Sequence, residues 1–214
     1  MMVDVWYINT ASISPMELSK VNRLLPDSML EEIRRFRFHE DRRLKTLGRA
    51  LVRTYFEQND ATFNWNDWGL DQNGKPQVKE KDHFNVSHSG DIVMVAFSQS
   101  ELGVDVEKYS DVDVTSITSF LHSTEQSYIQ HATNLEDAFY TIWTRKEAYL
   151  KARGVGIVQG LDSENCLEST VGIDKKWYIN NLSLSENYKA ALCTECENPT
   201  IRMREFELNE ICEL

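Results

Sequence analysis

The run Gly103-Val104-Asp105-Val106-Glu107-Lys108 alternates apolar and acidic side chains, the period of an extended strand. In a strand Val104 and Val106 enter a core, while Asp105 and Glu107 share the opposite face, about 6.6 Å apart along the backbone. Downstream lies Trp143-Thr144-Arg145-Lys146-Glu147-Ala148-Tyr149-Leu150-Lys151, where helical spacing stacks Trp143, Glu147 and Lys151 at i, i+4 and i+8. Where that helix meets the strand, three carboxylates converge beside a lysine. Like charges held so close are relieved by protonation or by a cation. A donor set of oxygens alone, without Cys or His, suits a hard ion, and Mg²⁺ fits best. Taken singly, each segment also reads more plainly: the acids as the solvated face of an edge strand, and Glu147 with Lys151 as a surface ion pair.

The 214 residues, 41% hydrophobic, suffice for one large domain or two small ones. The start, Met1-Met2-Val3-Asp4-Val5-Trp6-Tyr7, has neither a basic flank nor a leader-length apolar run, and no stretch approaches the roughly 18 apolar residues of a membrane span. The expectation is a cytoplasmic protein without membrane contact. Four cysteines (Cys166, Cys193, Cys196, Cys212) do not form the dense framework of a secreted fold, and Cys193-Thr194-Glu195-Cys196 lacks the second pair that zinc would require.

A net charge of −11 argues against a nucleic-acid partner. Its distribution says more. Between Ile33 and Arg53 eight basic residues (Arg34, Arg35, Arg37, Arg42, Arg43, Lys45, Arg49, Arg53) face only Glu40 and Asp41, which gives +6 for the segment and −17 for the remainder. A basic segment on an acidic body points to a local site for a small polyanion; a solvated face with ion pairs is the alternative.

In order, Val3 to Ile8 reads as a strand, Pro15 breaks the chain, and Glu17 to Leu25 is helical in pattern. A helix from Met29 to about Phe38, capped by Asp27 or Ser28, precedes a third from Glu40 to Phe56. On this third helix Leu44, Leu47, Leu51 and Tyr55 form a core stripe and Lys45, Arg49 and Arg53 a cationic one. Gly74-Lys75-Pro76 is a loop in which proline fixes the angle at which Lys75 projects. Phe84-Asn85-Val86-Ser87-His88-Ser89-Gly90 leads into a buried strand, Ile92 to Phe97. His88, between two serines, can donate to phosphate oxygens or serve a local hydrogen bond. Ser98 to Glu101 is the joint between two halves, residues 1–101 and 102–214. The second half echoes the first: a helix opening near Phe120 to Glu125, a long helix Leu135 to Arg153 and a strand Tyr188 to Cys193.

The pair G-V-D-V-E-K and W-T-R-K-E-A-Y-L-K, with G-K-P and S-H-S upstream, resembles the signature of the 4′-phosphopantetheinyl transferases, in particular the broad-specificity, surfactin-synthetase-activating type. The resemblance covers roughly residues 5 to 195. It implies an α+β fold of two similar halves related by a pseudo-twofold axis, with the active site at their interface, working as a monomer. It implies transfer of the phosphopantetheine arm of coenzyme A to a serine of an acyl, peptidyl or aryl carrier protein, with release of adenosine 3′,5′-bisphosphate. By the match, Asp105, Glu107 and Glu147 hold Mg²⁺, with Mn²⁺ able to substitute. Glu147 is the candidate base, and Lys151, with Lys146, steadies the phosphates. Lys45, Arg49, Lys75, Pro76, Ser87 and His88 are the expected coenzyme A contacts. Surfactin-type relatives often carry lysines before their R-R-F helix end, where this chain has Met29, Glu31 and Glu32. Val112 to Leu121, with Val114, Ile117 and Phe120, is where the family would place carrier contacts. Two readings compete: another Mg²⁺-dependent nucleotide transferase or hydrolase, and a non-catalytic module that binds coenzyme A or a carrier. Having Asp105, Glu107, Glu147 and Lys151 together argues against the module.

Overall fold

The structure, a computed structural model, describes residues 1–59, 63–155 and 160–212. The first half runs β1 (Met2–Asn9), α1 (Pro15–Asn22), α2 (Asp27–Arg34), α3 (His39–Asn59), a hairpin of β2 (Trp68–Leu70) and β3 (Pro76–Val78), β4 (His83–Ser89) and β5 (Ile92–Ser98). The second runs β6 (Leu102–Lys108), α4 (Val114–Thr118), α5 (Ser123–Gln130), α6 (Leu135–Arg153), β7 (Thr170–Val171), β8 (Trp177–Leu182), β9 (Tyr188–Thr194), β10 (Thr200–Glu205) and α7 (Leu208–Cys212). Each half is thus a strand, three helices and returning strands, the α+β order expected.

Two four-stranded sheets result, β10-β1-β5-β4 and β6-β9-β8-β7. Period-two alternation places them in layers. From β5, Val93, Val95 and Phe97 pack with Leu44, Leu47, Leu51 and Tyr55 of α3, so the core stripe read from the sequence does face the core. From the same strand Ile92, Met94 and Ala96 point the other way, into a core shared with Val104 and Val106 of β6 and Leu192 of β9. The sheets therefore lie face to face, with α3 outside one and α6 outside the other. This is why Ile92 to Ser98 is buried along its whole length.

β4 departs from this scheme in an instructive way. Phe84 and Val86 face α3, while Asn85, Ser87 and Ser89 alternate with them toward the second sheet. They meet backbone there. β6 pairs with β9 along one edge, and on its other edge Val104 N–H donates to Asn85 Oδ1 (2.9 Å), Val106 N–H to Ser87 Oγ (3.3 Å) and Lys108 N–H to Ser89 Oγ (3.1 Å). Three edge amides are satisfied by side chains of the other half; each would otherwise cost about 1–3 kcal/mol if buried without a partner.

Three expectations change. Pro15 opens α1, at the first helical position where its missing N–H costs nothing, and Ser14 and Glu17 close a capping box. At α2 the N-cap is Pro26 without a side-chain cap, and Asp27 acts in the first turn. The third concerns the division at 101/102: β10 lies parallel to β1, Met2 opposite Thr200 through Tyr7 opposite Glu205, and Phe206 and Ile211 enter the α3 core. The outer edge of β1 needs a partner, and the chain's last stretch crosses back to supply it.

Close approach of α6 to β6 depends on Gly103, where an added Cβ would lie 2.1 Å from the Ala148 carbonyl and 2.4 Å from the Ala152 nitrogen. Gly103→Ala is expected to lower unfolding free energy by about 3 kcal/mol, because backbone rather than a flexible side chain must move. Urea denaturation checks this; a loss below about 1 kcal/mol would contradict it.

Candidate active site

α6 lies on the face of β6 that carries Asp105 and Glu107, and it brings Glu147 and Lys151 to them. Lys151 Nζ is 2.6 Å from Asp105 Oδ1 and 3.1 Å from Ser87 Oγ, and Ser87 Oγ itself donates to Asp105 Oδ1 at 2.8 Å. Ser89 Oγ donates to Glu107 Oε2 at 2.6 Å. Asp105 is 2% exposed and Glu147 5%, and one oxygen of each, Asp105 Oδ2 and Glu147 Oε1, is buried without a hydrogen-bond partner among the described residues.

Burial raises all three carboxyl pKa values. For Asp105 the Lys151 ammonium and the Ser87 hydroxyl oppose it; for Glu107 the Ser89 hydroxyl, the Lys151 ammonium and the Trp143 indole do, while Asp105 adds to the rise. Glu147 is pushed up to about 7 by burial, with Lys151 pulling down and Asp105 and Glu107 pushing up. Burial disfavours the Lys151 ammonium, yet Asp105, Glu147 and Glu107 outweigh it and hold the lysine charged. Among the described residues no three His, Cys, Asp or Glu side chains stand close enough to cage an ion; the Lys151 ammonium occupies Asp105 instead. Two buried, unpartnered carboxylate oxygens are nevertheless what a hard cation satisfies, so the donor set fits one.

Against known families, residues 101–193 match the 4′-phosphopantetheinyl transferase superfamily and residues 12–100 the N-terminal 4′-phosphopantetheinyl transferase family. The chain is 30% identical over 184 residues to the 4′-phosphopantetheinyl transferase gsp of Aneurinibacillus migulanus, covering 78% of this chain and 76% of the relative. It is 32% identical to psf-1 of Bacillus pumilus (75% and 74% covered) and 30% identical to Sfp of Bacillus subtilis (76% and 79% covered). The chain belongs to the 4′-phosphopantetheinyl transferases.

The transferase places its other expected site residues unevenly. His88 sits beside the cluster, its pKa lowered by burial and by the Lys45 and Lys151 ammoniums, so three cationic or hydrogen-bonding groups look onto one region. Lys45 lies 4.4 Å from the Phe36 ring centre, its own pKa lowered by burial and Arg49. A cavity of about 200 Å³ joins the halves, bordered by Gly74, Lys75, Pro76, Asn85, Lys151 and Gly154. Lys75 Nζ is tethered there to the Leu102 carbonyl (2.9 Å) and Glu101 (3.2 Å). Arg49 is taken up by Glu32 (2.8 Å) and the Met29 carbonyl (3.1 Å), so both residues serve as partners of an arginine.

Lys146 is a correction. Its side chain is 1% exposed and pairs with the fully buried Glu125 at 2.8 Å while donating to the Leu161 and Glu164 carbonyls, so it cannot also steady phosphates at the cluster. Arg145 donates in turn to the Cys166, Leu167 and Glu168 carbonyls. These adjacent bases clamp residues 161–168 to α6, whereas Glu147 and Lys151 face β6. The sequence reading passed over Ser89 and Asn85, although the polar alternation Asn85, Ser87, Ser89 between apolar neighbours was a readable sign that this strand face met polar groups.

The Glu147 pKa has a consequence for stability. It is raised from 4.5 to about 7, so between those values the folded state binds more protons than the unfolded one and stability falls as pH rises. Glu147→Gln removes this dependence. With chelator present, its stability relative to the wild type is expected to improve by about 2–3 kcal/mol from pH 4.5 to pH 8. A difference flat across that range, in denaturation curves at several pH values, would contradict the raised pKa.

Proposed function

We propose that the protein transfers the 4′-phosphopantetheine arm of coenzyme A to a serine hydroxyl of a carrier protein, in a reaction that depends on Mg²⁺ and releases adenosine 3′,5′-bisphosphate. The observation that carries this reading is the pair of buried, unpartnered oxygens on Asp105 and Glu147 beside the Lys151 ammonium. Asp105, Glu147 and Glu107 would hold the cation, which supplies Lewis-acid neutralisation of pyrophosphate charge.

The chain's own groups account for the rest. Glu147, beside Asp105 and Lys151 in the cluster, is the candidate to take the proton of the attacking hydroxyl. Lys151, kept charged by three carboxylates, is placed to steady negative charge as the leaving phosphate departs. Lys75 and Pro76, which border the cavity with Lys151, and His88 and Lys45 of the same half are assigned to coenzyme A, as is Ser87 through its contact with Lys151. Arg49, bound to Glu32, is assigned a supporting part through the charge it lends beside Lys45. Both halves come from one chain, so we assign the monomer as the working unit. Intact mass of an apo carrier protein after incubation with the enzyme, coenzyme A and Mg²⁺ tests the reading. The carrier gains the mass of the phosphopantetheine arm, and EDTA abolishes the gain; no gain, or a gain indifferent to EDTA, would overturn it.

For the carrier, the segment after β6 divides. Val114 and Ile117 pack against the α5–α6 core, but Phe120 is 65% exposed and Val112 is also exposed. An enzyme of net charge −11 gains little from overall attraction to an acidic carrier, so apolar contact must contribute more. Phe120→Ala is expected to raise carrier KM about tenfold, with kcat and the KM for coenzyme A unchanged. An unchanged carrier KM would contradict this contact.

A further inference from the structure

We propose that Ser89 is a positioning residue for the transfer reaction, its hydroxyl holding the Glu107 carboxylate in the direction from which it ligates the divalent cation. The inference rests on the metal reading above.

The hydroxyl has both of its directions assigned. It accepts the Lys108 N–H at 3.1 Å, and its single proton goes to Glu107 Oε2 at 2.6 Å, a short, charge-assisted bond. Its backbone is equally fixed, because Ser89 stands opposite Ile92 in the β4–β5 ladder. The receiving strand end is held too, by Lys108 Nζ on Asp91 at 2.9 Å.

Ser87 makes the corresponding contact to Asp105, but there Lys151 also grips the carboxylate. Glu107 has no ion-pair partner among the described residues. The Trp143 indole also reaches it, with less effect on its charge than Ser89, so its orientation rests on these two hydrogen bonds, whereas Asp105 has an ion pair beside Ser87. A hydroxyl holding one carboxylate oxygen fixes where the other can point, and such outer hydrogen bonds are worth a large factor in metal affinity.

Mn²⁺ is the probe, titrated into protein carrying coenzyme A and followed by loss of the free-ion electron paramagnetic resonance signal. Ser89→Ala should weaken Mn²⁺ binding about tenfold, and raise the Mg²⁺ concentration for half-maximal transfer equally, without altering the KM for coenzyme A. Ser89→Thr, which keeps the hydroxyl, should stay within about threefold of the wild type. Ser89→Cys, close in size and a poor donor, should follow the alanine variant and stands in for it where that variant does not fold. Wild-type Mn²⁺ affinity in the alanine and cysteine variants overturns the proposal alone. Equal losses in the threonine and alanine variants also overturn it, because they trace to the strand edge rather than to the hydroxyl. Failure of the wild type to bind Mn²⁺ would overturn both the proposal and the metal reading.

Discussion

Everything at the site depends on the free edge of β6. A strand that pairs on one side only exposes a row of N–H groups, which must find partners if the edge is buried. Here the partners are Asn85, Ser87 and Ser89 of the other half, one for each of Val104, Val106 and Lys108. Between β4 and β6 the halves meet through side chains reaching a backbone rather than through a continued sheet. The same serines, having accepted an amide, donate onward to Asp105 and Glu107. One set of hydrogen bonds thus closes the β4–β6 seam and aims the carboxylates.

The arrangement is costly in the free protein. Three acids are drawn into a partly dry space, burial raises the pKa of each, and a single ammonium offsets their charge. Two oxygens remain without partners. A core selected for stability alone would not keep them; the proposed function gives them a cation to hold. α6 separates the two demands around its circumference. Arg145 and Lys146 tie down residues 161–168, while Glu147 and Lys151 lie on the side toward β6.

Much of this was legible in the amino-acid order. Period-two alternation in Gly103–Lys108 and the stacked Trp143, Glu147 and Lys151 placed three carboxylates and a lysine together, because local spacing decides which face a side chain takes. The bounds of α6 were legible for the same reason, with Gly154 in a left-handed conformation ending the helix. What could not be read depends on distant partners. Lys146 looks like a site lysine from its neighbours, and only the fold reveals Glu125 beside it. Thr200–Glu205 belongs by sequence to the second half, and nothing local shows that β1 claims it. Pro15 alone is ambiguous, because proline both stops and starts helices, and the Ser14–Glu17 capping box decides for a start.

The central claim is that side chains of one half, rather than solvent, satisfy the outer-edge amides of β6. Amide hydrogen exchange resolved at Val104, Val106 and Lys108 tests this most directly. Protection approaching that of buried β5 amides is predicted at all three; exchange at the rate of an open sheet edge would contradict the account.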